Sequence, residues 1–583
     1  MTTVLLCLLL PLALLIEAWA RPAQGGQPSR FGDWLVNWPQ QRITSWILVA
    51  TLTALVTATT IAALVHERPL LFDDSFISYR YAKNLALGNG LLWNPGEAPS
   101  EGYTNFLLVV LVAPVIRLGG DPLFATRALS IVAALGMVLL VYRIARHELQ
   151  ASWPVAAILG LAVLSSSYTA ELSMVGLETV LFTAALFLSF CLSQRFFEAD
   201  DRRLLIASGL VAFAAFLLRP EAVFLPIATV LVTLVLDFRD YRRWLRVGSL
   251  LGLSFVLPVV LYLAWKRLYF GSILPNPAFV KMPGQGFTRP RGVASVNNFL
   301  ATHWKLFAVA GMGLPFAKGP IRGLLTSSAI VLAYILFYLR VDTLMDLDGR
   351  FMYPAFPFAL FMALPPLALF GERLLEWRQQ WGVRVGLAVV LFLTVLYRNS
   401  GDALHRLAHR GRIEPTDDTE VHQASIMLKR TGLELATYER VGEVTIGSTD
   451  AGLLPYFSGV RHVDMAGLVT RFIAVHKDAR VLADYFFEQH PDLIIVRTTN
   501  DGRLITYEHG VLGNYTLWSN NPGWNAYSEG GAVHAGPRFD LHFFFRRGSP
   551  HEPALRRILA RVVDSDVIRV AASMGTQGDQ SVH

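Results

Sequence analysis

The stretch LFDDSFISYRYAKNLALGNGLLWNPGEAPSEGYTN occupies residues 71–105 and follows an apolar run at 44–65. Asp73 and Asp74 open a segment whose apolar spacing predicts an amphipathic helix, and Gly88 is placed to end it. A turn-rich stretch comes next, and its polar side chains are candidate binding groups. They are Asn94, Glu97, Glu101, Tyr103 and Asn105.

The two aspartates have competing explanations. Either acid could cap the helix by accepting N–H bonds from its first turn, although capping leaves the second acid unexplained. Paired carboxylates beside a membrane can instead bind a divalent cation, or one can act as a base whose pKa the other sets. Asp73 and Asp74 are therefore the candidate catalytic pair, with Arg80 beside them, and a divalent metal stays open as a cofactor.

Composition restricts the class of protein. The 583 residues are 53% hydrophobic and 16% charged, and the mean hydropathy is +0.43. A soluble chain would carry roughly a quarter charged residues, so a purely soluble enzyme is excluded, and so is a disordered protein. The two cysteines exclude a disulfide framework and a cysteine-based metal site.

Apolar runs long enough to cross a bilayer recur up to about residue 399. The segment Phe106–Leu118 is too short to span and is expected to lie along the membrane interface. Residues 1–20 lack the basic start and the cleavage site of a signal peptide, so a twelfth span is favoured there. The eleven other predicted spans are 44–65, 124–145, 152–170, 175–194, 204–218, 220–237, 247–268, 302–317, 323–340, 353–371 and 383–399.

This pattern predicts a polytopic α-helical membrane protein with 11–12 transmembrane helices and a C-terminal soluble α/β domain. Three parts are expected: an apolar segment with a basic linker at 1–43, a transmembrane domain at 44–399, and the soluble domain at 400–583. The transmembrane domain includes an outer loop at 66–123, which carries the aspartates.

Every second loop is basic, which indicates that those loops face the cytoplasm. The densest cluster holds Arg239, Arg242, Arg243 and Arg246. The alternate loops, among them 66–123, the turn at 171–174 and 269–301, are then extracytoplasmic, as is everything after residue 400. The pI of about 9.3 is therefore attributed largely to topology, and no nucleic-acid partner is expected.

The soluble domain shows strand and helix patterns. Val441–Ile446 and Asp492–Arg497 are predicted strands, and Ala479–Gln489 is a predicted helix. Gly447–Gly452 lacks the lysine of a phosphate-binding loop, so it is interpreted as a strand-end turn. Asp450 in that turn could still face the site from above.

The segment Asp73–Asn105 resembles the C-type membrane glycosyltransferases, which use polyprenyl-phosphate sugars as donors. It is similar to a bacterial branch that includes the terminal arabinofuranosyltransferases of mycobacterial cell walls. Pro277 departs from that branch, where threonine is commoner after Leu-Pro-Asn. Further similar blocks are Gly176–Thr179, Arg219–Glu221, Leu274–Asn276 with Lys281, Gly349–Phe351 and Asp450–Tyr456.

The resemblance implies that Asp73 or Asp74 deprotonates an acceptor hydroxyl while the other acid orients a substrate. It implies a sugar, with arabinofuranose the leading choice, moving from a polyprenyl-phosphate donor to an envelope glycan, lipid or protein. The reaction would take place at the outer face of the bacterial cytoplasmic membrane, among membrane lipids. The substrate-binding candidates are Arg80, Glu97, Glu101, Tyr103, Asn105, Glu178, Arg219, Glu221, Asn276, Lys281, Arg350 and Asp450.

Each candidate phosphate-binding cation has a structural alternative. Arg219 could pair with Glu221, Lys281 could be an ordinary loop lysine, and Arg350 could pair with Asp346 or Asp348. Glu178 lies near the outer end of a span, where a carboxylate suggests a functional site, and a buried pair with a basic residue is the alternative.

Two other classes of protein compete with an enzyme. A transporter or flippase of lipid-linked sugars would show internal repeats and ionisable residues at mid-membrane, whereas the acids here cluster in an outer loop. A structural protein with a glycan-binding outer domain would leave the Asp73–Asp74 loop without a role.

Overall fold

The structure is a computed structural model. It describes residues 71–164, 167–281, 289–313, 321–343, 346, 349–376, 417–499, 520–534, 539–563 and 570–571. The spans predicted at 44–65 and 383–399, the apolar run at 1–20 and the tail after residue 573 lie outside these ranges. In the described ranges a helical part comes first and a smaller α/β part follows from Asp417.

The helical part begins at the aspartate pair. Its helices are α1 (Asp73–Ala86), α2 (Phe106–Arg117), α3 (Pro122–Arg143), α4 (Trp153–Leu161), α5 (Ser167–Met174), α6 (Thr179–Ala199), α7 (Arg202–Leu218), α8 (Phe224–Leu236), α9 (Tyr241–Leu251), α10 (Leu257–Phe270), α11 (Asn276–Lys281), α12 (Pro290–Gly313), α13 (Ile321–Tyr338) and α14 (Phe356–Glu376). As predicted, α1 stops just before Gly88, whose φ of +85° is a backbone conformation that favours glycine.

Five helical stretches in the described part are long and apolar enough to cross a bilayer by length and composition. Each coincides with a predicted span. They are Pro122–Glu148, Thr179–Ala199, Tyr241–Phe270, Ile321–Tyr338 and Tyr353–Arg373. Phe106–Arg117 and Pro220–Leu236 are apolar but shorter, and the first of these is the short helix expected from the sequence.

Three local predictions are wrong. The span predicted at 152–170 is instead two short helices, α4 and α5. The Thr169 hydroxyl donates to the Val163 carbonyl at 2.9 Å, and in an uninterrupted helix that carbonyl would accept a backbone N–H. The turn expected at 171–174 is the end of α5. Helix α12 starts at Pro290, inside the loop predicted at 269–301, because proline suits the first turn of a helix.

The α/β part contains one six-stranded sheet of order β2-β1-β3-β5-β4-β6. Strands β2, β1 and β3 run parallel, and the other pairings are antiparallel. The strands are β1 (Thr445–Ser448), β2 (Arg461–Asp464), β3 (Leu493–Thr499), β4 (Tyr527–His534), β5 (Phe539–Arg546) and β6 (Val570–Ala571). The helices are α15 (Asp417–Leu435), α16 (Leu453–Ser458), α17 (Arg471–Val475), α18 (Ala479–Glu488) and α19 (Glu552–Val563).

Two of the elements predicted in this part are confirmed. Strand β3 and helix α18 lie where the sequence predicted them. The strand predicted at Val441–Ile446 is wrong in its bounds: Val441–Glu443 is a short 3₁₀ turn, and β1 starts at Thr445.

The α/β part packs directly on helix α1. The ring of Phe76 lies 5.3 Å from that of Tyr456 and 5.5 Å from that of Phe457, both in α16. Arg80 is buried and donates to the Pro455 carbonyl at 2.6 Å and the Val460 carbonyl at 2.7 Å. These contacts place the aspartates at the boundary between the helical part and the sheet.

Candidate active site

Asp73 does not cap its own helix, so the capping explanation is wrong in that form. Its carboxylate instead accepts the N–H groups of Gly452 at 2.9 Å and Leu453 at 2.7 Å, at the start of α16. A Cβ atom at Gly452 would lie 1.8 Å from the Asp73 carbonyl oxygen, so glycine is required for this close approach. Asp73 therefore joins α1 to the α/β part.

Asp74 has different surroundings from its neighbour. Its side chain is 21% exposed, and its Oδ2 accepts from Nη2 of Arg350 at 2.8 Å. The Arg350 side chain is only 6% exposed, and its guanidinium packs over the rings of Phe72 and Phe351. Of the two acids, Asp74 is the more exposed.

Three cations surround the ring of Phe351. The guanidinium carbons of Arg350 and Arg219 lie 4.8 Å and 5.3 Å from the ring centroid, and Lys281 Nζ lies 5.2 Å away. Burial and the charge of Arg350 lower the pKa of Lys281 to about 8, while Asp74 acts in the opposite direction. The sequence predicted these three cations as phosphate contacts, and the fold brings them together.

Arg219 is held by carboxylates on two sides. It donates to Glu178 and to Glu221, each at 3.0 Å, and to the Tyr338 hydroxyl at 3.1 Å. Asn105 extends the network by donating to Glu178 at 2.7 Å. The structural alternatives for Glu178 and Arg219 are therefore both observed, and this buried network fixes the direction of the Arg219 guanidinium.

Two arginine atoms in this cluster have no acceptor. Nε of Arg219 and Nε of Arg350 are buried and make no hydrogen bond within the described part of the chain. Buried N–H groups are nearly always paired in folded proteins. These two atoms are instead closed off from solvent by the side chains around them.

Asp450 lies beside Asp73. Its carboxylate pairs with Arg497 at 2.6 Å, and both acids are buried. Burial and their mutual repulsion raise the pKa of Asp73, and burial likewise raises the pKa of Asp450, which Arg497 partly offsets. The prediction that Asp450 approaches the aspartates from the outer domain therefore agrees with the geometry.

Glu101 and Asn276 form a second group of predicted residues. Glu101 is buried and pairs with Lys266 at 2.6 Å, and burial raises its pKa to about 7 against the opposing charge of Lys266. The Asn276 side chain donates to the Ser100 hydroxyl at 2.8 Å. Tyr103 is buried, with its ring packed on Tyr81 at 4.7 Å.

Two predicted binding residues are occupied by contacts to the protein itself. Arg80 donates to three carbonyls and to Asn94, and its guanidinium lies 4.5 Å from the Trp93 ring. Glu97, in the loop between α1 and α2, pairs with Arg461 of β2 at 2.7 Å. Arg80 therefore holds the loop against the α/β part. Arg350 pairs with Asp74, whereas its expected partners were Asp346 and Asp348. Among the described residues no ion pair joins Arg350 to Asp346, and Asp348 lies outside them.

Three of the four carboxylate oxygens of the two aspartates already accept hydrogen bonds from the protein, so they offer a divalent cation few free ligand positions. Both oxygens of Asp73 accept backbone N–H groups, and a guanidinium occupies one oxygen of Asp74. Within the described ranges there is also no group of three or more His, Cys, Asp or Glu side chains placed to hold a metal.

Some residues of this site were missed in the sequence. Phe351 belongs to the quoted block Gly349–Phe351, so its motif was visible but its role was not. Arg497 lies in β3, a strand that was predicted, but its pairing with Asp450 was not. Lys266 was not among the predicted site residues. Tyr338 carried no signal, since its contact with Arg219 joins the ends of two helices that are distant in the chain.

Two family models match parts of the chain. Residues 106–265 match the family described as dolichyl-phosphate-mannose-protein mannosyltransferase, and residues 419–539 match a domain of unknown function. A curated relative is the terminal beta-(1->2)-arabinofuranosyltransferase of Mycobacterium tuberculosis, 30% identical over 250 residues. That alignment covers 40% of this chain and 38% of the relative, which is well under two thirds of its length.

Solved structures give the fold. The crystal structure of ArnT from Cupriavidus metallidurans bound to undecaprenyl phosphate has a TM-score of 0.51 at 14% identity. The alignment covers 86% of this chain and 98% of that one, and the apo crystal structure of the same protein scores 0.51 at 13% identity. The protein is a multi-pass membrane protein with the C-type glycosyltransferase fold. The C-type glycosyltransferase fold predicted from Asp73–Asn105 is thereby confirmed.

Proposed function

We propose that this protein transfers a sugar, with arabinofuranose the leading choice, from a polyprenyl-phosphate donor to an acceptor at the outer face of the cytoplasmic membrane. The acceptor is an envelope glycan, lipid or protein. The observation that carries the proposal is the contact of the partly exposed Asp74 with Arg350, beside the cations around Phe351. A base and a phosphate site are thus adjacent.

In the proposed reaction Asp74 takes the proton of an acceptor hydroxyl, and the hydroxyl oxygen attacks the anomeric carbon of the donor sugar. The bond from that carbon to the phosphate oxygen breaks, and the polyprenyl phosphate leaves with an added negative charge. Arg350 and Lys281 stabilise this charge, because guanidinium and ammonium groups bind phosphate oxygens strongly. Asp73 holds the start of α16 through the N–H groups of Gly452 and Leu453.

The three cations around the Phe351 ring support a phosphate at this place. The crystal structure of ArnT with undecaprenyl phosphate supports a prenyl-phosphate carrier in this fold, and the partial match to the arabinofuranosyltransferase supports the choice of sugar.

The test is a transfer assay with purified protein in lipid nanodiscs. Radiolabelled polyprenyl-phosphate arabinofuranose, mannose and aminoarabinose are supplied with an arabinan acceptor, and labelled product is measured. We expect product from the arabinose donor only. Absence of product from every donor, together with movement of labelled donor across proteoliposome membranes, would instead establish the flippase alternative.

A further inference from the structure

A second group of charged side chains lies at the end of the helical part that is farther from the aspartates. Helix α6 begins directly after Glu178, and α13 ends at Tyr338. Glu178 and Tyr338 both bind Arg219 in the candidate active site. The 21 residues of α6 are roughly 30 Å long, which is about the thickness of the hydrocarbon core of a bilayer. The end of α6 and the start of α13 therefore lie across the membrane from this site.

These far ends meet and hold an excess of positive charge. The guanidinium of Arg322, in the first turn of α13, lies 4.7 Å from the ring of Phe197 in α6. Asp237, which follows α8, pairs with Arg322 at 2.6 Å and with Arg243 at 3.6 Å. Such pairs cannot neutralise every arginine, because the arginines outnumber the acids. Eight arginines and five acids occupy the segments that meet here, 195–203, 237–246 and 322.

Arg239 and Arg242 remain available to a partner outside the protein. Both side chains are exposed, and neither makes an ion pair within the part of the chain that the structure describes. The Arg239 guanidinium lies 5.2 Å from the Phe238 ring. That of Arg242 lies 5.9 Å from the Tyr241 ring and donates to its hydroxyl at 3.4 Å. Both rings are also exposed, at 66% and 55%. We call these four residues the basic patch.

The basic patch lies where the apolar surface of the helices begins. Val235 and Leu245, on either side of it in the chain, are 70% and 48% exposed. The stretch Tyr241–Phe270 starts in the patch, and it is the least buried of the five apolar stretches in the described ranges. Aromatic rings and arginines at the end of a lipid-facing stretch lie at the level of the lipid headgroups. The basic patch is therefore placed to contact those headgroups.

We propose that the basic patch binds anionic phospholipid headgroups in the leaflet farther from the aspartates. The excess of arginine over acid at this end attracts negative charge, which an anionic headgroup supplies. A zwitterionic headgroup carries no net charge, so the patch attracts it less. An arginine near an anionic lipid surface strengthens binding by about five-fold. The proposal does not depend on the sugar-transfer reaction, and it holds whichever side of the membrane this leaflet faces.

The test measures which lipids the full chain retains. The protein is purified in detergent with equal amounts of phosphatidylglycerol and phosphatidylcholine, and the lipids that stay bound through gel filtration are quantified by mass spectrometry. We expect the parent to retain several-fold more phosphatidylglycerol. Replacing both Arg239→Gln and Arg242→Gln should lower the ratio of the two lipids at least three-fold. The matched control is Arg480→Gln with Arg547→Gln, two exposed arginines of the α/β part, which removes the same charge and should keep the parent ratio.

An unaltered lipid ratio in the patch variant overturns the proposal, and so does an equal fall in the control variant. Arg239→Lys with Arg242→Lys keeps both charges and should retain the parent ratio, and a loss there as large as with glutamine would also overturn it. Displacement of the bound phosphatidylglycerol by inorganic phosphate at constant ionic strength would assign the two arginines to a soluble anion instead of a lipid. Retention of the lipid under that condition supports the proposal.

Discussion

Asp73 and Asp74 are neighbours in the chain with different surroundings. Asp73 is buried against the N–H groups of Gly452 and Leu453, and Asp74 faces the cations. A base in position contributes roughly 10²–10⁴-fold to a rate. We therefore expect Asp74→Asn to lower kcat by about that factor while the melting temperature changes little.

The matched control for this variant is Asp200→Asn. Asp200 pairs with Arg246 at 2.8 Å, the same distance as in the pair of Asp74 with Arg350. The control should keep the parent rate in the transfer assay. A parent-like rate in Asp74→Asn would remove Asp74 from the reaction.

Asp73→Asn should act chiefly on stability. An amide supplies one acceptor and turns an N–H group toward the other backbone donor, which leaves a buried N–H unpaired at a cost of about 1–3 kcal/mol. We expect a lower melting temperature in a thermal-shift measurement, together with reduced activity. Full stability with the activity lost would give Asp73, and not Asp74, the chemical role.

The lowered pKa of Lys281 predicts that phosphate binding depends on pH. Because its pKa is lowered to about 8, it loses its charge as the pH rises through that value, and its attraction for a phosphate falls with it. The affinity of the protein for polyprenyl phosphate should decrease between about pH 7 and about pH 9. At pH 7 the Lys281→Met variant should bind polyprenyl phosphate less tightly than the parent. Its affinity should no longer fall between about pH 7 and about pH 9.

Lys429→Met is the control for that measurement. Lys429 Nζ lies 5.1 Å from the Phe457 ring, much as Lys281 Nζ lies 5.2 Å from the Phe351 ring. The control should bind polyprenyl phosphate with the parent pH profile. A pH profile that Lys281→Met leaves unaltered would place the phosphate elsewhere.

At the scale of elements, the contact between α1 and α16 determines whether the site forms. Gly452→Ala would force its Cβ into the Asp73 carbonyl, so the start of α16 must move away from α1. We expect a lower melting temperature and faster proteolysis of the α/β part. Gly442→Ala is the control, because a Cβ there meets nothing within 4 Å, and it should behave as the parent. Parent-like stability of Gly452→Ala would mean that the contact is unimportant.

Comparing the predicted with the observed ends of helices and strands shows which boundaries a sequence pattern can predict. Helix α1 was predicted from its apolar spacing and Gly88, and α18 and β3 from their periodicity, because these signals are local. The interruption between α4 and α5 was missed, although the polar residues 165–169 stand inside the predicted span. The bond from the Thr169 hydroxyl to the Val163 carbonyl competes with helix formation there. Hydropathy alone does not distinguish one long helix from two short ones.

For the whole molecule, the predicted topology places the α/β part outside the cytoplasm. The basic loops indicate this orientation, because positively charged loops stay on the cytoplasmic side. An alkaline phosphatase fusion after residue 400 should therefore be active, and a fluorescent protein that folds only in the cytoplasm should be dark at the same position. An inactive phosphatase fusion together with a fluorescent second fusion would place the α/β part in the cytoplasm and reverse the predicted topology.

The sequence by itself determined the class of this protein and the individual candidate residues of its site. Its low charge and repeated apolar runs require a membrane, because such a chain cannot cover a water-facing surface. The Asp73–Asn105 stretch marked the fold family, and the cations were named one by one. Only the tertiary structure decided which groups work together: Arg350 reaches Asp74 across 276 positions of the chain, and Asp73 reaches Leu453 across 380. Such contacts depend on packing between distant helices and the sheet, and local patterns carry no information about it.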